Sequence, residues 1–383
     1  MPATPLHVAI IGAGIGGLAA AACLRRVGID VRIYEQAQRF ARLGAGIQQS
    51  PNAMRVLRVL GLEPKLREIS ARPAAALNRA HDTGEILWER PMGEAVEARY
   101  GAPYLVLHRG DLHAALLETI PPDSIERGRK LTGLTQRSTQ IQIDFADGSS
   151  ATADAVIGAD GIHSIVRETL LGPERPHFTG RVAYRAVFPA VLLNDLEIDD
   201  QAKWWGPDRH IVMYYVNPRR DELYFVTSTP EPDFDVESWS AKGDLDVLRT
   251  AYRDFHPRVR AVLAACPDVH KWALVVRDPL PRWTDGNVAL LGDACHPMTP
   301  YLAQGAGTAI EDAAVLSRCL QGIDRDGVAA ALRRYETTRK PRTSHIQGVS
   351  RLNDMNRNKA EADTVYGYDA WTAPLAEPAA APT

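Results

Sequence analysis

Cysteine is scarce in this chain: four in 383 residues. Cys23, Cys266, Cys295 and Cys319 show neither metal-ligand spacing nor a pairing pattern, so a metal centre and a disulfide framework are both unsupported. Cys23 and Cys319 fall in helix-like runs and read as small core residues. Long apolar runs are missing as well. No stretch of about 18 apolar residues offers a membrane helix. The apolar stretch near the N-terminus lacks the basic start of a secretory signal, so cytoplasmic residence is expected. Charge of one sign is also missing: 44 basic and 47 acidic side chains leave a formal net charge of -3. That balance provides no basic field to recruit nucleic acid or an anionic membrane. There is no internal repeat. Only the Pro/Ala-rich end, residues 373–383, reads as a disordered tail. The length allows a large core and suggests two domains, possibly interleaved.

What is present is glycine in three separated motifs. The first, Gly12-Ala13-Gly14-Ile15-Gly16-Gly17, follows the short apolar run His7-Val8-Ala9-Ile10-Ile11, which reads as a buried parallel strand. Glycines there permit a tight turn, close approach of backbone to a pyrophosphate, and close packing of the helix that follows. Leu18 to Val27 continues as an alanine-rich helix whose N-terminal amides favour an anion. A second strand, Val31 to Tyr34, ends at Glu35, eighteen residues after Gly17. A carboxylate at that place can accept both hydroxyl protons of an adenosine ribose. The other motifs are Gly158-Ala159-Asp160-Gly161, delivered by the apolar run Ala155-Val156-Ile157, and Gly292-Asp293-Ala294-Cys295-His296-Pro297, delivered by Val288 to Leu291. Asp293 follows a buried strand and would be costly to leave without hydrogen-bond donors.

Between the motifs the organisation is mixed. Leu43 to Gln48 reads as a glycine loop and Pro51 to Leu62 as a helix. Ile86 to Trp88 and Tyr104 to Leu107 read as strands, and Asp111 to Thr119 as a helix. Leu131 to Ala153 reads as a meander, with Gln140 to Phe145 alternating and Asp147-Gly148 as a hairpin turn. From about 180 to 275 the runs turn aromatic: Tyr184 to Val187, Ala202 to Trp205, His210 to Tyr215 and Leu223 to Thr227. They predict an antiparallel sheet with one covered face. Gln304 to Thr308 opens a helix running to about Leu320, and a further helix covers 327–357.

Taken together, the three motifs resemble the single-component FAD-dependent aromatic hydroxylases, over nearly the whole length. The resemblance implies an α/β fold in which a Rossmann-like FAD-binding domain (1–75, 100–178 and 276–325) is interleaved with an antiparallel-sheet substrate domain (76–99 and 179–275). A C-terminal helical segment (326–372) and the tail complete the chain. By the same resemblance, Gly12, Gly14, Gly17 and Glu35 hold the ADP part of FAD. Asp160, with Ser164 and Arg167, serves FAD and the pyridine nucleotide, and Asp293 serves the ribityl and pyrophosphate region. Arg109 and Arg42 contact the cofactor, and the amides of Gly305 and Ala306 face the flavin's pyrimidine ring. A second nucleotide fingerprint and a redox cysteine pair are both absent, which fits NADH docking transiently. The family's reagent is an FAD C4a-hydroperoxide formed with O2, so neither a protein nucleophile nor a metal is required.

Within the family, several runs resemble enzymes that hydroxylate 6-hydroxynicotinate with loss of CO2 to give 2,5-dihydroxypyridine. They include Lys203-Trp204-Trp205, Asp208-Arg209-His210, Tyr214-Tyr215, Tyr224 to Thr227 and Val365 to Asp369. His210 and Tyr214 stand i and i+4 on a strand and share a face. They are the candidate catalytic and substrate-binding residues, with His suited to deprotonating a ring hydroxyl near neutral pH. Gln48 and Tyr301 are further candidates for substrate contact, and they depart from the histidines expected in that sub-group. Gln and Tyr hydrogen-bond but do not change charge near pH 7 as His does. The same pair resembles 3-hydroxybenzoate hydroxylases, so that enzyme and salicylate hydroxylase remain alternatives. Two other classes find no support in the sequence. A flavin-dependent halogenase would carry a Trp-containing signature and a lysine motif that do not occur. A non-catalytic flavoprotein ligand sensor has no feature in its favour. A homodimer is an expectation without residue support.

Overall fold

The computed structural model describes residues 6–42, 45–137, 140–234, 242–352 and 361–377. Its first sheet has six strands in the order Thr284–Asp285, Val288–Leu290, Ala155–Gly158, His7–Ile11, Asp30–Glu35, Ile125–Arg127. All are parallel except Thr284–Asp285. Such a sheet is covered on both faces, which is why its central strands are continuous apolar runs rather than alternating ones. Val8 to Ile11 and Ala155 to Ile157 are all buried. The helices Ile15–Arg26 and Gly305–Leu320 pack on one another, and a Cβ at Gly16 would lie 3.3 Å from that of Ala309. The meander forms a separate three-stranded sheet, Leu131–Gln136, Ile141–Phe145 and Ser150–Ala153, whose Ile141, Ile143 and Phe145 join the same core.

The second sheet has seven strands: His270–Val276, His177–Pro189, Glu222–Pro230, His210–Tyr215, Gln201–Trp205, Ala75–Ala80 and Ile86–Pro91. Only the pairing of Gln201–Trp205 with Ala75–Ala80 is parallel. Period-two alternation gives the sheet two different faces. Trp204, Ile211, Met213, Leu223 and Phe225 point one way and are buried against helices Leu245–Ala251 and Pro257–Ala265. Truncating Phe225, which is fully buried, would cost about 3–5 kcal/mol. Gln201, Lys203, His210, Val212, Tyr214 and Val226 occupy the other face.

Two sequence expectations need correction. Of the expected glycine loop, Leu43 and Gly44 lie outside the described residues, but Gly46–Gln49 is a strand paired antiparallel with Leu105–His108. Gly46 is needed there because a Cβ would come within 2.5 Å of the Tyr224 ring and 2.7 Å of the Tyr214 ring. The tail is ordered at its start. Arg318 donates to the carbonyl of Ala373, Arg334 donates to the carbonyl of Ala376, and the Ala376 amide donates to Thr338 Oγ1 at 3.0 Å. Leu375 packs on the core, so backbone satisfaction and apolar burial override the Pro/Ala composition. The long C-terminal helix spans Val328–Leu352, and residues 353–357 of its expected range lie outside the described part. Among the described residues no helix is long and apolar enough to cross a membrane.

Candidate functional site

Three parallel strands bring the three glycine motifs side by side. Ile11 is in register with Gly158, and Gly158 with Leu290. Their C-terminal ends therefore deliver three turns to one edge of the sheet, where open α/β sheets bind ligands. The turns are packed backbone to backbone. Gly12 has φ +102°, and a Cβ on it would lie 2.5 Å from the Ala159 carbonyl oxygen; one on Gly17 would lie 2.0 Å from that of Gly12. By contrast, a Cβ on Gly14 would meet nothing within 4 Å. The first motif is thus shut against the protein and open toward the site.

That opening suits a long phosphorylated cofactor. The helices Ile15–Arg26 and Gly305–Leu320 begin at Gly14 and Gln304 with no side-chain cap and no acidic residue in the first turn. Uncapped first-turn amides favour an anion. Glu35 accepts from the Ala13 and Ala37 amides at 2.8 and 2.7 Å, and its carboxylate keeps lone pairs for ribose hydroxyls. Asp293 and Arg109 are both solvent-accessible. Even so, burial raises the Asp293 carboxyl and lowers the Arg109 guanidinium. A group that is open to water yet desolvated lies in a cleft rather than on a convex surface. Gly305 stands next to Asp293, whose Oδ1 would be 3.9 Å from an added Cβ. These residues fit FAD.

Not every cofactor candidate faces this cleft directly. Asp160 Oδ2 accepts from the Val166 amide at 3.1 Å, at the start of helix Ile165–Leu171, while its buried Oδ1 has no protein partner. Arg167 is buried and ties Ile162 to Ala294, linking the middle and late motifs. Arg42 is held by Asp111 and Glu222, at 2.8 and 2.9 Å, which joins the first motif's side to the second sheet.

Behind Asp293 lies a buried ionic network that sequence reading did not find. His296 Nε2 and Asp312 Oδ2 are 2.6 Å apart, and Arg339 donates to Asp312 Oδ1 at 2.7 Å. The Gly292 amide also donates to Asp312, at 3.2 Å. Arg339 and Arg342 pair Glu311, which accepts from Asn52 as well. Burial alone would raise the Asp312 carboxyl, but His296 and Arg339 outweigh it and hold it low. Cys295, His296 and Asp312 are close enough to surround an ion. Asp312, however, is already engaged through both oxygens, and burial pushes the Cys295 thiol far up. The cluster is therefore a brace for the Gly292–Ala294 turn, and its only sequence signal is charge inside two helical patterns.

Next to the cradle a cavity of about 1030 Å³, counting its open mouth, lies against the second sheet. His210, Lys203, Gln201 and Val212 come from the second sheet, and Asn78, Trp88 and Arg90 from its outer hairpin. Gln48 and Tyr104 come from the small two-stranded region, Pro300 to Ala303 from the turn before helix Gly305–Leu320, and Val365 and Tyr366 from the last helix. Gln48, Tyr301 and His210 thus meet in one place. Gln48 Oε1 accepts from Tyr104 and from Gln201 Nε2. The His210 ring stands edge-on to Tyr301, centroids 5.4 Å apart, and Tyr301 Oη bonds Ser228 Oγ at 2.8 Å. Burial, then Lys203 and Arg181, push the His210 imidazole well below its ordinary value.

Tyr214 is placed differently from expectation. It shares the His210 face, but it packs under Gly46 beside Tyr224 instead of lining the cavity. The missed residues are Tyr104, Gln201, Lys203 and Arg90. Only strand register could have found them, because Gln201 and Lys203 pair with Tyr214 and Val212.

Comparison with known proteins agrees with the cradle. The family model described as "FAD binding domain" matches residues 5–348. A 6-hydroxynicotinate 3-monooxygenase of Bordetella bronchiseptica is 45% identical over 97% of each chain. One of Pseudomonas fluorescens is 43% identical, again over 97% of each. Among solved structures, Klebsiella pneumoniae HpxO, crystallised with FAD and uric acid, superposes with TM-score 0.82 at 27% identity, covering 95% of this chain and 93% of its own. A cleft built by backbone for a dinucleotide, a matching family model and near-full-length relatives place this chain in the FAD-binding monooxygenase family.

Proposed function

We propose that this chain hydroxylates 6-hydroxynicotinate at its carboxyl-bearing carbon. The balance is 6-hydroxynicotinic acid, O2, NADH and H⁺ giving 2,5-dihydroxypyridine, CO2, NAD⁺ and water. FAD, when bound, takes electrons from NADH and activates O2. Gly12, Gly14, Gly17 and Glu35 would hold its ADP part, with Arg109, Asp160, Asp293 and the Gly305 and Ala306 amides along the rest; Arg42 supports from outside.

The observation carrying this reading is a buried histidine, His210, in a cavity beside the cradle that is lined by aromatic rings and by Lys203 and Arg90. Burial holds the His210 imidazole in its neutral form, and a neutral imidazole can take the proton of a ring hydroxyl and make the ring electron-rich. Gln48, fixed by Tyr104 and Gln201, offers an amide to a ring substituent. Trp88, Val212 and Tyr366 exclude water.

Gln48 and Tyr301 favour one second reading, hydroxylation of 3-hydroxybenzoate or salicylate. The test is product analysis of the purified yellow protein with NADH, O2 and each acid. Stoichiometric 2,5-dihydroxypyridine and CO2 support the first reading. Ring hydroxylation with the carboxylate retained moves the chain to the second. No substrate-stimulated NADH oxidation with any of them overturns both and favours a sensor.

A further inference from the structure

The geometry points to Lys203 as the residue that receives the substrate's carboxylate and so sets which ring carbon is presented for oxygenation. This rests on the proposed function above. Lys203 sits mid-strand in Gln201–Trp205, paired with Val212 on one side and Asn78 on the other. Alternation puts it on the cavity face, between Gln201 and Trp205. Its Nζ lies 3.7 Å from the centroid of the Trp205 ring and 5.8 Å from that of Tyr301, so the ammonium rests on aromatic faces at the wall shared with His210. A second cation, Arg90, lines the same cavity but donates to the Tyr366 hydroxyl and stacks on Trp88 and Tyr366. It is held as part of the wall.

Placement beside His210 has a chemical consequence. An aromatic acid with a ring hydroxyl carries two groups that must be told apart, one to be deprotonated and one to be gripped. A lysine and a neutral histidine on neighbouring strands make that distinction, because the ammonium attracts the charged group and the imidazole accepts from the hydroxyl. The titratable groups sharing the cavity with Lys203 are Arg90, Tyr104, His210, Tyr301, Glu361 and Tyr366. Glu361 is engaged by His345 at 2.9 Å. Burial lowers the Lys203 ammonium to about 7. In the free enzyme it therefore loses its charge as pH rises through neutrality, and an anionic ligand pulls it back to the charged form.

The experiment uses the FAD-loaded enzyme and follows binding by the change in flavin absorbance. The probes are 6-hydroxynicotinate and 2-hydroxypyridine, the same ring without the carboxylate. Lys203→Met is expected to weaken 6-hydroxynicotinate binding by about 30- to 300-fold while changing 2-hydroxypyridine binding less than about threefold. Above pH 7 the wild type should lose affinity for the acid about tenfold per pH unit. Lys203→Arg, charged throughout, should lose this pH dependence. Equal binding of the acid by wild type and Lys203→Met would overturn the assignment and leave the proposed function standing. Equal weakening of both probes would also overturn it, as the mark of a merely structural lysine. If the wild type binds no hydroxylated aromatic acid at all, both readings fall.

Discussion

The cradle and the cavity are neighbours built from different materials. The cradle is made of backbone: turns that touch carbonyl to Cα, helix amides without caps, and glycines whose missing Cβ atoms are the fit itself. The cavity is made of side chains projected from strands distant in sequence, and its shape depends on how those strands pair. A backbone site tolerates almost no substitution at its contact points, but it specifies only a ligand class. A side-chain site tolerates more, and each tolerated change is a change of substrate.

This contrast can be broken most severely in the cradle. Gly17→Val places carbon within 2.0 Å of the Gly12 carbonyl oxygen, a clash costing more than about 3 kcal/mol. The expected outcome is no folded flavoprotein, read from the flavin-to-protein ratio and circular dichroism; a fully yellow variant would show that the turns do not pack as described. In the cavity, His210→Ala should keep its flavin and lose about 10²- to 10⁴-fold in kcat, checked by single-turnover hydroxylation. Normal turnover would remove His210 from the chemistry.

The brace behind the cradle comes next. Asp312→Asn removes the carboxylate facing His296 and leaves Arg339 with Glu311 as its remaining anion; it should cost about 3–5 kcal/mol, seen as a lower Tm with activity per flavin preserved. The sign of its pH dependence follows from the lowered carboxyl. The stability it contributes is present above the unfolded value near about 4 and is lost as pH falls through the lower folded one. The variant should therefore show a shallower acid limb than the wild type. Asp293→Ala should weaken FAD by about 10- to 100-fold in an ultrafiltration assay while leaving the fold intact. Tyr301→Phe, which deletes the bond to Ser228, should change KM less than about tenfold. A collapse of kcat instead would make Tyr301 a participant in the chemistry rather than part of the wall.

How far each region was legible follows from the same difference. The strand–glycine–helix order around Gly12 to Gly17 and the carboxylate at Glu35 are local patterns, each forced by one turn, so short windows of sequence contain them. The alternation of Gln140 to Phe145 and of the strand Gln201–Trp205 likewise states which elements exist. Sequence did not reveal that Gly46 belongs to a strand, since its need for glycine comes from Tyr214 and Tyr224 far along the chain. Nor could i, i+4 spacing separate His210 from Tyr214: both share a face, but Tyr214 packs under Gly46 beside Tyr224, out of the cavity lining. Lys203 and Gln201 were hidden for a similar reason, since a lysine in a strand is ordinarily solvated and only register places this one indoors. The Asp312 network was invisible because its opposite charges, on the helices Gly305–Leu320 and Val328–Leu352, meet only after those two helices pack.

The register Ile11–Gly158–Leu290 also imposes an order of events at the ribosome. The strand His7–Ile11 is made before its partners but sits inside its sheet; one edge pairs with the nearby Asp30–Glu35, and the other must wait for Ala155–Gly158. Until Ala155–Gly158 has left the exit tunnel, the opening strand has an unclosed side and its glycine turn lacks the Ala159 backbone it packs against. Long-range pairing of this kind is slow and leaves apolar edges exposed meanwhile. Because Tyr366 closes the cavity wall, a nascent chain can complete its flavin cradle before it can complete its substrate cavity. The substrate cavity is thus finished against a cradle whose strands and helices are already made.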